Sequence, residues 1–145
     1  MAQQSFYVDS CIWLNLFKKE GDPMKGVPYY KIAEDFFKLV EKSENNIIVS
    51  PILLREISFK LGDKYNLAKE FFEKSSYIKI IKTTPDDYSF ARKLESESNY
   101  ELSFFDCLHI AISKRLDLNL ITRDQKLIEI ATKHVSVNKP EELIN

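Results

Sequence analysis

Residues 6–8 (FYV) form the first apolar run of the chain, short, aromatic and β-branched, as a buried strand requires. The pattern then changes to helical spacing over residues 11–17 (CIWLNLF), with Asp9 or Ser10 placed to cap the helix. Residues 18–28 (KKEGDPMKGVP) hold two glycines and two prolines and read as a loop. From Tyr29 to Lys42 the apolar positions Ile32, Ala33, Phe36, Phe37 and Val40 recur at helical spacing, and Glu34 and Lys38 form an i,i+4 pair on the polar side. Asn45-Asn46 is expected to break this helix before a β-branched strand at residues 47–49. Ser50-Pro51 then starts a helix, Ser50 as cap and Pro51 at the first helical position, and Gly62-Asp63 ends it.

The second half repeats this alternation. Residues 65–73 read as a helix, residues 77–81 (YIKII) as a strand, and Thr84-Pro85-Asp86-Asp87 as the start of a helix running to about Ser98. Residues 99–102 form a loop, and a mostly apolar helix follows, with Asp106 near its start. The run from Leu118 to Ile121 is a strand ended by Asp124, residues 127–131 are helical, residues 135–137 form a last strand, and residues 140–144 a terminal helical turn. Strands that alternate with helices predict an α/β fold: a Rossmann-like three-layer α/β/α sandwich around a mainly parallel sheet of four to five short strands. At 145 residues, with no repeat, linker or low-complexity stretch, residues 1–145 read as a single domain.

Charge and composition narrow the chemistry. Net charge is −1, so bulk charge does not recruit a polyanion, and nucleic-acid binding would need a local basic patch or a metal. Cys11 and Cys107 lie outside any CxxC pattern and read as buried thiols in a reducing compartment. Residues 1–5 are too short and polar for a signal peptide, and no apolar run is long enough to span a membrane, so a cytoplasmic location is expected.

Four acids stand out against this background. Asp9 and Asp124 end strands, Asp106 sits near the start of an apolar helix, and Glu56 lies about a turn and a half into the helix after the second strand. In a parallel sheet the carboxyl ends of the strands share one edge, so all four can converge there. Two carboxylates about 4 Å apart repel by roughly 4 kcal/mol at an effective dielectric near 20. A convergent set therefore calls for protonation or a cation, and an all-oxygen donor set favours Mg²⁺ or Mn²⁺ over Zn²⁺. Such a site polarises a phosphodiester and activates water, which is the chemistry of a metal-dependent nuclease. Lys18, Lys19 and above all Arg123 are candidates to meet substrate phosphates, with Arg55, Lys60, Lys114 and Arg115 also near the expected cleft. His109 lies three residues after Asp106 and shares its helix face; it reads as a satisfied, partly buried histidine, with a site contact as the sharper alternative.

The order of these residues resembles the PIN domain family, and most closely the small VapC-type toxins of prokaryotic toxin–antitoxin systems. The matching stretches are residues 6–14 (FYVDSCIWL), 53–57 (LLREI), 102–112 (LSFFDCLHIAI) and 120–127 (LITRDQKL). The resemblance implies a Mg²⁺- or Mn²⁺-dependent endoribonuclease, often dimeric and often inhibited by a small antitoxin. It makes Asp9, Glu56, Asp106 and Asp124 the catalytic, metal-holding acids, Asp9 and Asp106 foremost as direct ligands and Glu56 as ligand or water-orienting group. It makes Ser10 and Thr122 hydroxyls that support those carboxylates. Trp13, Leu16 and Phe17, or the helix at residues 65–72, are candidates for a dimer or antitoxin surface, with Trp13 also a core candidate. The rival readings are a PIN-fold RNA-binding or scaffold module without turnover, and a housekeeping RNA-processing nuclease. A phospho-acceptor receiver domain is disfavoured because Asp9-Ser10 lacks the paired acids such a domain needs after its first strand.

Overall fold

A computed structural model describes residues 3–19 and 26–144; residues 20–25 of the predicted loop lie outside the described residues. Five strands, β1 (Ser5–Val8), β2 (Asn46–Val49), β3 (Ile78–Ile80), β4 (Asn119–Ile121) and β5 (Val137–Asn138), form one sheet in the order β3-β2-β1-β4-β5 with every pairing parallel. Among the described residues, seven α-helices connect them: α1 (Ser10–Lys18), α2 (Tyr29–Lys42), α3 (Pro51–Leu61), α4 (Tyr65–Lys74), α5 (Pro85–Glu97), α6 (Phe104–Arg115) and α7 (Gln125–Ala131). The chain steps outward from β1 to β3, then crosses to β4 and outward again to β5. This reversal beside β1 makes the carboxyl ends of β1 and β4 the switch point where α/β sheets hold their sites. No helix among the described residues is long and apolar enough to cross a membrane.

Local signals set most element ends. Ser50 caps α3 by accepting from the Leu53 N–H at 3.1 Å, with Pro51 behind it in the first turn. Gly62 closes the same helix at φ +56°, where a residue with a Cβ is strained. Thr84 and Asp87 exchange side-chain and backbone bonds in a capping box at the start of α5. The helix α2 ends at Lys42 rather than at the asparagines: Glu44 takes the left-handed turn at φ 58°, and Asn46 already belongs to β2.

Alternation along β1 divides its side chains between two layers. Phe6 meets the Phe36 ring of α2 edge-on, whereas Tyr7 turns the other way, against His109 of α6. Trp13 is fully buried at the centre of an aromatic cluster with Phe17, Phe37, Phe71 and Phe72, and its indole N–H donates to the Val8 carbonyl at 3.0 Å. Trp13 is therefore core rather than docking surface, and Leu16 and Phe17 pack partly buried against that core. Among the described residues, the most exposed large apolar side chain is Phe59, 89 % exposed on α3; Leu67 is the open apolar side chain of α4.

The helices α5 and α6 pack along each other and are locked by Asp87 and Arg115. The Arg115 Nε donates to both Asp87 oxygens at 2.9 and 3.1 Å, and its Nη2 donates to the Lys82 carbonyl. Asp87 is 2 % exposed, so removing its partner strands a buried charge, while removing Asp87 itself also opens the capping box. Asp87→Ala is expected to cost about 2–3 kcal/mol in urea unfolding, at the low end for a buried pair because Arg115 reaches solvent. A loss below about 1 kcal/mol would show that the pair behaves as a surface ion pair.

Candidate metal centre

The carboxyl ends of β1 and β4 deliver the first group. Asp9 follows β1 directly, is 5 % exposed, and caps α1. Its Oδ1 accepts the Ser10 N–H at 2.9 Å, and its Oδ2 accepts the Thr122 hydroxyl at 2.8 Å and the Cys11 thiol at 3.3 Å. Thr122, fully buried just past β4, in turn accepts the Asp124 N–H through its hydroxyl oxygen at 3.1 Å. Burial, together with the nearby Asp9 charge, pushes the Cys11 thiol far up, so it remains a neutral donor.

Glu56 reaches the same place from α3. Its Oε1 accepts from the His109 Nε2 at 3.3 Å, and its Oε2 lies 3.6 Å from the Lys60 ammonium. Burial acts to raise its pKa, but the His109 bond, the His109 and Lys60 charges and the nearby Ser10 side chain outweigh burial and hold it below the ordinary carboxylate range. Asp9, Glu56 and His109 each offer a ligand atom, and these atoms all lie within 4.8 Å of one another.

Asp106 stands in the first turn of α6, half-buried behind its cap Ser103. Burial and the charges of Asp9, Asp124 and Glu56, offset in part by His109, push its carboxyl up to about 6. Asp106 therefore feels the other three acids without belonging to the tight group. Asp124 is the outermost of the four: it is exposed and spends its carboxylate on capping α7, accepting from the Lys126 and Leu127 N–H groups at 3.1 and 3.3 Å.

Of the basic candidates, Lys60 pairs with Glu56, and Arg123 is engaged by Glu141 and Tyr29. Arg123 forms a double bond pattern with Glu141, both oxygens meeting its Nη1, and lies 4.1 Å over the Tyr29 ring. It ties the last turn of the chain to α2 and is only 15 % exposed. Lys18 and Lys19 are exposed at the end of α1, with Lys19 left-handed at φ 54°. His109, expected as a satisfied, partly buried histidine with a site contact as the alternative, is fully buried and is the partner of Glu56; sequence reading passed over Tyr7 behind it and Cys11 on Asp9. The available signals were a histidine inside the apolar run of residues 107–112 and a tyrosine hydroxyl inside a buried strand, each of which needs a partner.

The donor set suits a divalent cation. Among the described residues, the ion pairs that reach the acids are those of Glu56 with Lys60 and His109. Asp9 and Asp106 keep a mutual repulsion that a bound cation would relieve, as the raised Asp106 carboxyl shows. This has a pH consequence for the metal-free protein. Unfolded Asp106 titrates near 3.8 and the folded group near 6, so the folded state holds the extra proton between those values. Stability owed to this group is present below pH 4 and is lost as pH rises through 6. Relative to Asp106→Asn, the wild-type melting temperature should fall across that window in EDTA, and saturating Mn²⁺ should reverse the order at pH 7. A flat difference would mean that Asp106 does not feel the other acids.

The PIN domain family profile matches residues 6–133. No curated protein matches the chain by sequence. Among solved structures, the chain is similar to VapBC2 from Rickettsia felis bound to a promoter DNA fragment (15 % identity, TM-score 0.70, covering 94 % of this chain and 98 % of that one). It is similar to VapC20 from Mycobacterium tuberculosis, a sarcin–ricin loop cleaving toxin (19 %, TM-score 0.63, 86 % and 93 %). It is also similar to a toxin–antitoxin complex from Klebsiella pneumoniae (23 %, TM-score 0.62, 92 % and 96 %). With the parallel five-stranded sheet and the acids at its switch point, the profile match settles the family: the chain belongs to the PIN domain family.

Proposed function

We propose that this chain is a Mg²⁺- or Mn²⁺-dependent endoribonuclease, the toxin of a toxin–antitoxin pair, acting as a homodimer in the cytoplasm. The observation that carries the reading is the meeting of Asp9 and Glu56, with Asp106 in electrostatic range, at the sheet's switch point in a PIN fold. Asp9, Glu56 and Asp106 would hold the cation, with Asp124 at the outer edge. When bound, the cation supplies Lewis-acid polarisation of the scissile phosphate and a lowered pKa for water. The chain's own residues do the remainder. The Ser10 N–H and the Thr122 hydroxyl fix the Asp9 oxygens, and Lys60 pairs with Glu56. The ionised Glu56 carboxylate can accept a proton from an attacking water.

Toxin-like solved neighbours support an antitoxin partner, since two of those named above are toxin–antitoxin assemblies. A groove of about 350 Å³ lined by Ile52, Arg55, Glu56, Phe59, Lys60 and Phe105 opens beside Glu56, with Ile52, Phe59 and Phe105 as its apolar side chains. Bare Phe59 in such a groove is the kind of surface a partner segment covers. The test is incubation of the purified chain with structured and single-stranded RNA in Mn²⁺ and in EDTA. Internal cuts that require the metal are expected; equal cutting in EDTA, or RNA binding without any cutting in Mn²⁺, would overturn the nuclease reading. Growth arrest on expression, relieved by a small protein encoded alongside, is expected of the toxin role.

A further inference from the structure

His109 is fully buried, yet both of its ring nitrogens have partners on other elements. Nδ1 lies 2.7 Å from the Tyr7 hydroxyl of β1, and that hydroxyl lies 2.7 Å from the Ser50 hydroxyl. Ser50 caps α3 through the Leu53 N–H. Nε2 lies 3.3 Å from Glu56, which stands on α3 six residues after Ser50. The chain of bonds thus leaves α3 at its cap, crosses β1 and α6, and returns to α3 at the carboxylate. An ionised carboxylate only accepts, so the His109 Nε2 carries the proton, and a protonated ring nitrogen has no lone pair to give a metal. Tyr7, buried and with its pKa raised far above the ordinary value chiefly by desolvation, stays a neutral hydroxyl that pins the ring from the other side.

We propose that His109 is a positioning residue of the metal centre: held by Tyr7 and Ser50, it fixes the Glu56 carboxylate toward Asp9 and is not itself a ligand. The inference rests on the metal-site reading above for its functional consequence, but its geometry does not. Buried partners of this kind typically change metal affinity 10–100-fold when removed. They act by restricting the rotamers of the carboxylate they hold, so their effect vanishes when that carboxylate is already gone.

Two measurements test it. In the metal-free protein, ¹⁵N NMR of the imidazole should show a protonated Nε2 on His109, and its resonance should move in both Glu56→Gln and Tyr7→Phe; an unprotonated Nε2, or a resonance indifferent to Glu56→Gln, overturns the proposal. In Mn²⁺ titration calorimetry, His109→Phe should weaken binding about 10–100-fold and His109→Gln, which restores a donor toward Glu56, should recover part of it. In the Glu56→Gln background His109→Phe should add little, and fully additive losses overturn the proposal. Nitrogen coupling to bound Mn²⁺ in pulsed EPR would overturn it too, by making His109 a ligand. Tyr7→Phe keeps both rings and removes the hydroxyl with its bonds to His109 and Ser50, so it serves if His109→Phe fails to fold; its expected Mn²⁺ loss is smaller but in the same direction. A wild-type protein that binds no Mn²⁺ would defeat the metal reading, while the NMR comparison still decides whether His109 holds Glu56.

Discussion

Asp9→Asn is expected to lower RNA cleavage about 10³-fold, equivalent to ~4 kcal/mol of transition-state stabilisation, while leaving the fold intact. The substitution is isosteric, but it removes the charge best placed to hold a cation. Asp9 is buried, and its two oxygens accept from Ser10 on one side and from Thr122 and Cys11 on the other. An asparagine must satisfy the Ser10 N–H with its oxygen, which turns its amide toward Thr122. That hydroxyl already accepts the Asp124 N–H and must rotate to accept again. The cost to stability is small, and it is offset by relief of the repulsion that raises the Asp106 carboxyl. Steady-state cleavage of a short RNA, with melting temperatures measured in EDTA, separates the two effects. A metal-free variant at least as stable as wild type but nearly inactive is the expected pair of results. Cleavage equal to wild type would remove Asp9, and with it the assigned centre. Asp124→Asn should cost much less, because that carboxylate is exposed and occupied with the α7 cap.

What could be read in the sequence was what acts locally. The caps at Ser50 and at Thr84 with Asp87 are set within three residues, so they are legible without a fold. The parallel sheet followed from alternation alone. The convergence of acids followed from topology, because strand ends of a parallel sheet share an edge whatever their side chains do. The balance among the acids was not legible. Asp124 competes between a site and the cap of the helix that follows it, and in the structure its exposed carboxylate is on that cap. The Glu56 partner His109 lies 53 residues away, and the His109 partner Tyr7 lies 102 residues away, so no local pattern joins them. The partners of Arg123 were hidden for the same reason: Tyr29 and Glu141 engage it from distant parts of the chain. The structure also moves the exposed apolar surface from Trp13 to Phe59. Phe59 lies off the Leu53, Ile57 and Leu61 stripe of its helix, and apolar character alone says nothing of which side chain has a neighbouring helix to cover it.

The burial of Trp13 gives the largest expected effect on stability, and it reaches the site. Trp13→Ala should destabilise the protein by about 4 kcal/mol, within the usual range for emptying a large aromatic site. Four phenylalanine rings from α1, α2 and α4 pack around the indole, with the Phe37 centroid at 4.4 Å and Phe72 at 4.8 Å. These rings are held by several helices at once, so they cannot all close on an alanine, and a cavity remains. In urea unfolding the loss corresponds to a midpoint lower by roughly 2 M. Trp13→Phe separates packing from polarity. It keeps much of the ring contact and loses the 3.0 Å bond to the Val8 carbonyl, so a cost of about 1–2 kcal/mol is expected. Val8 is the residue before Asp9, and its carbonyl is the point where the aromatic layer grips the end of β1. If that grip sets the position of Asp9, Trp13→Phe should weaken Mn²⁺ binding even where the protein is fully folded, whereas a purely packing role leaves Mn²⁺ affinity at the wild-type value. A Trp13→Ala loss below about 1.5 kcal/mol would instead show that the aromatic layer repacks, and that β1 is held by the sheet alone.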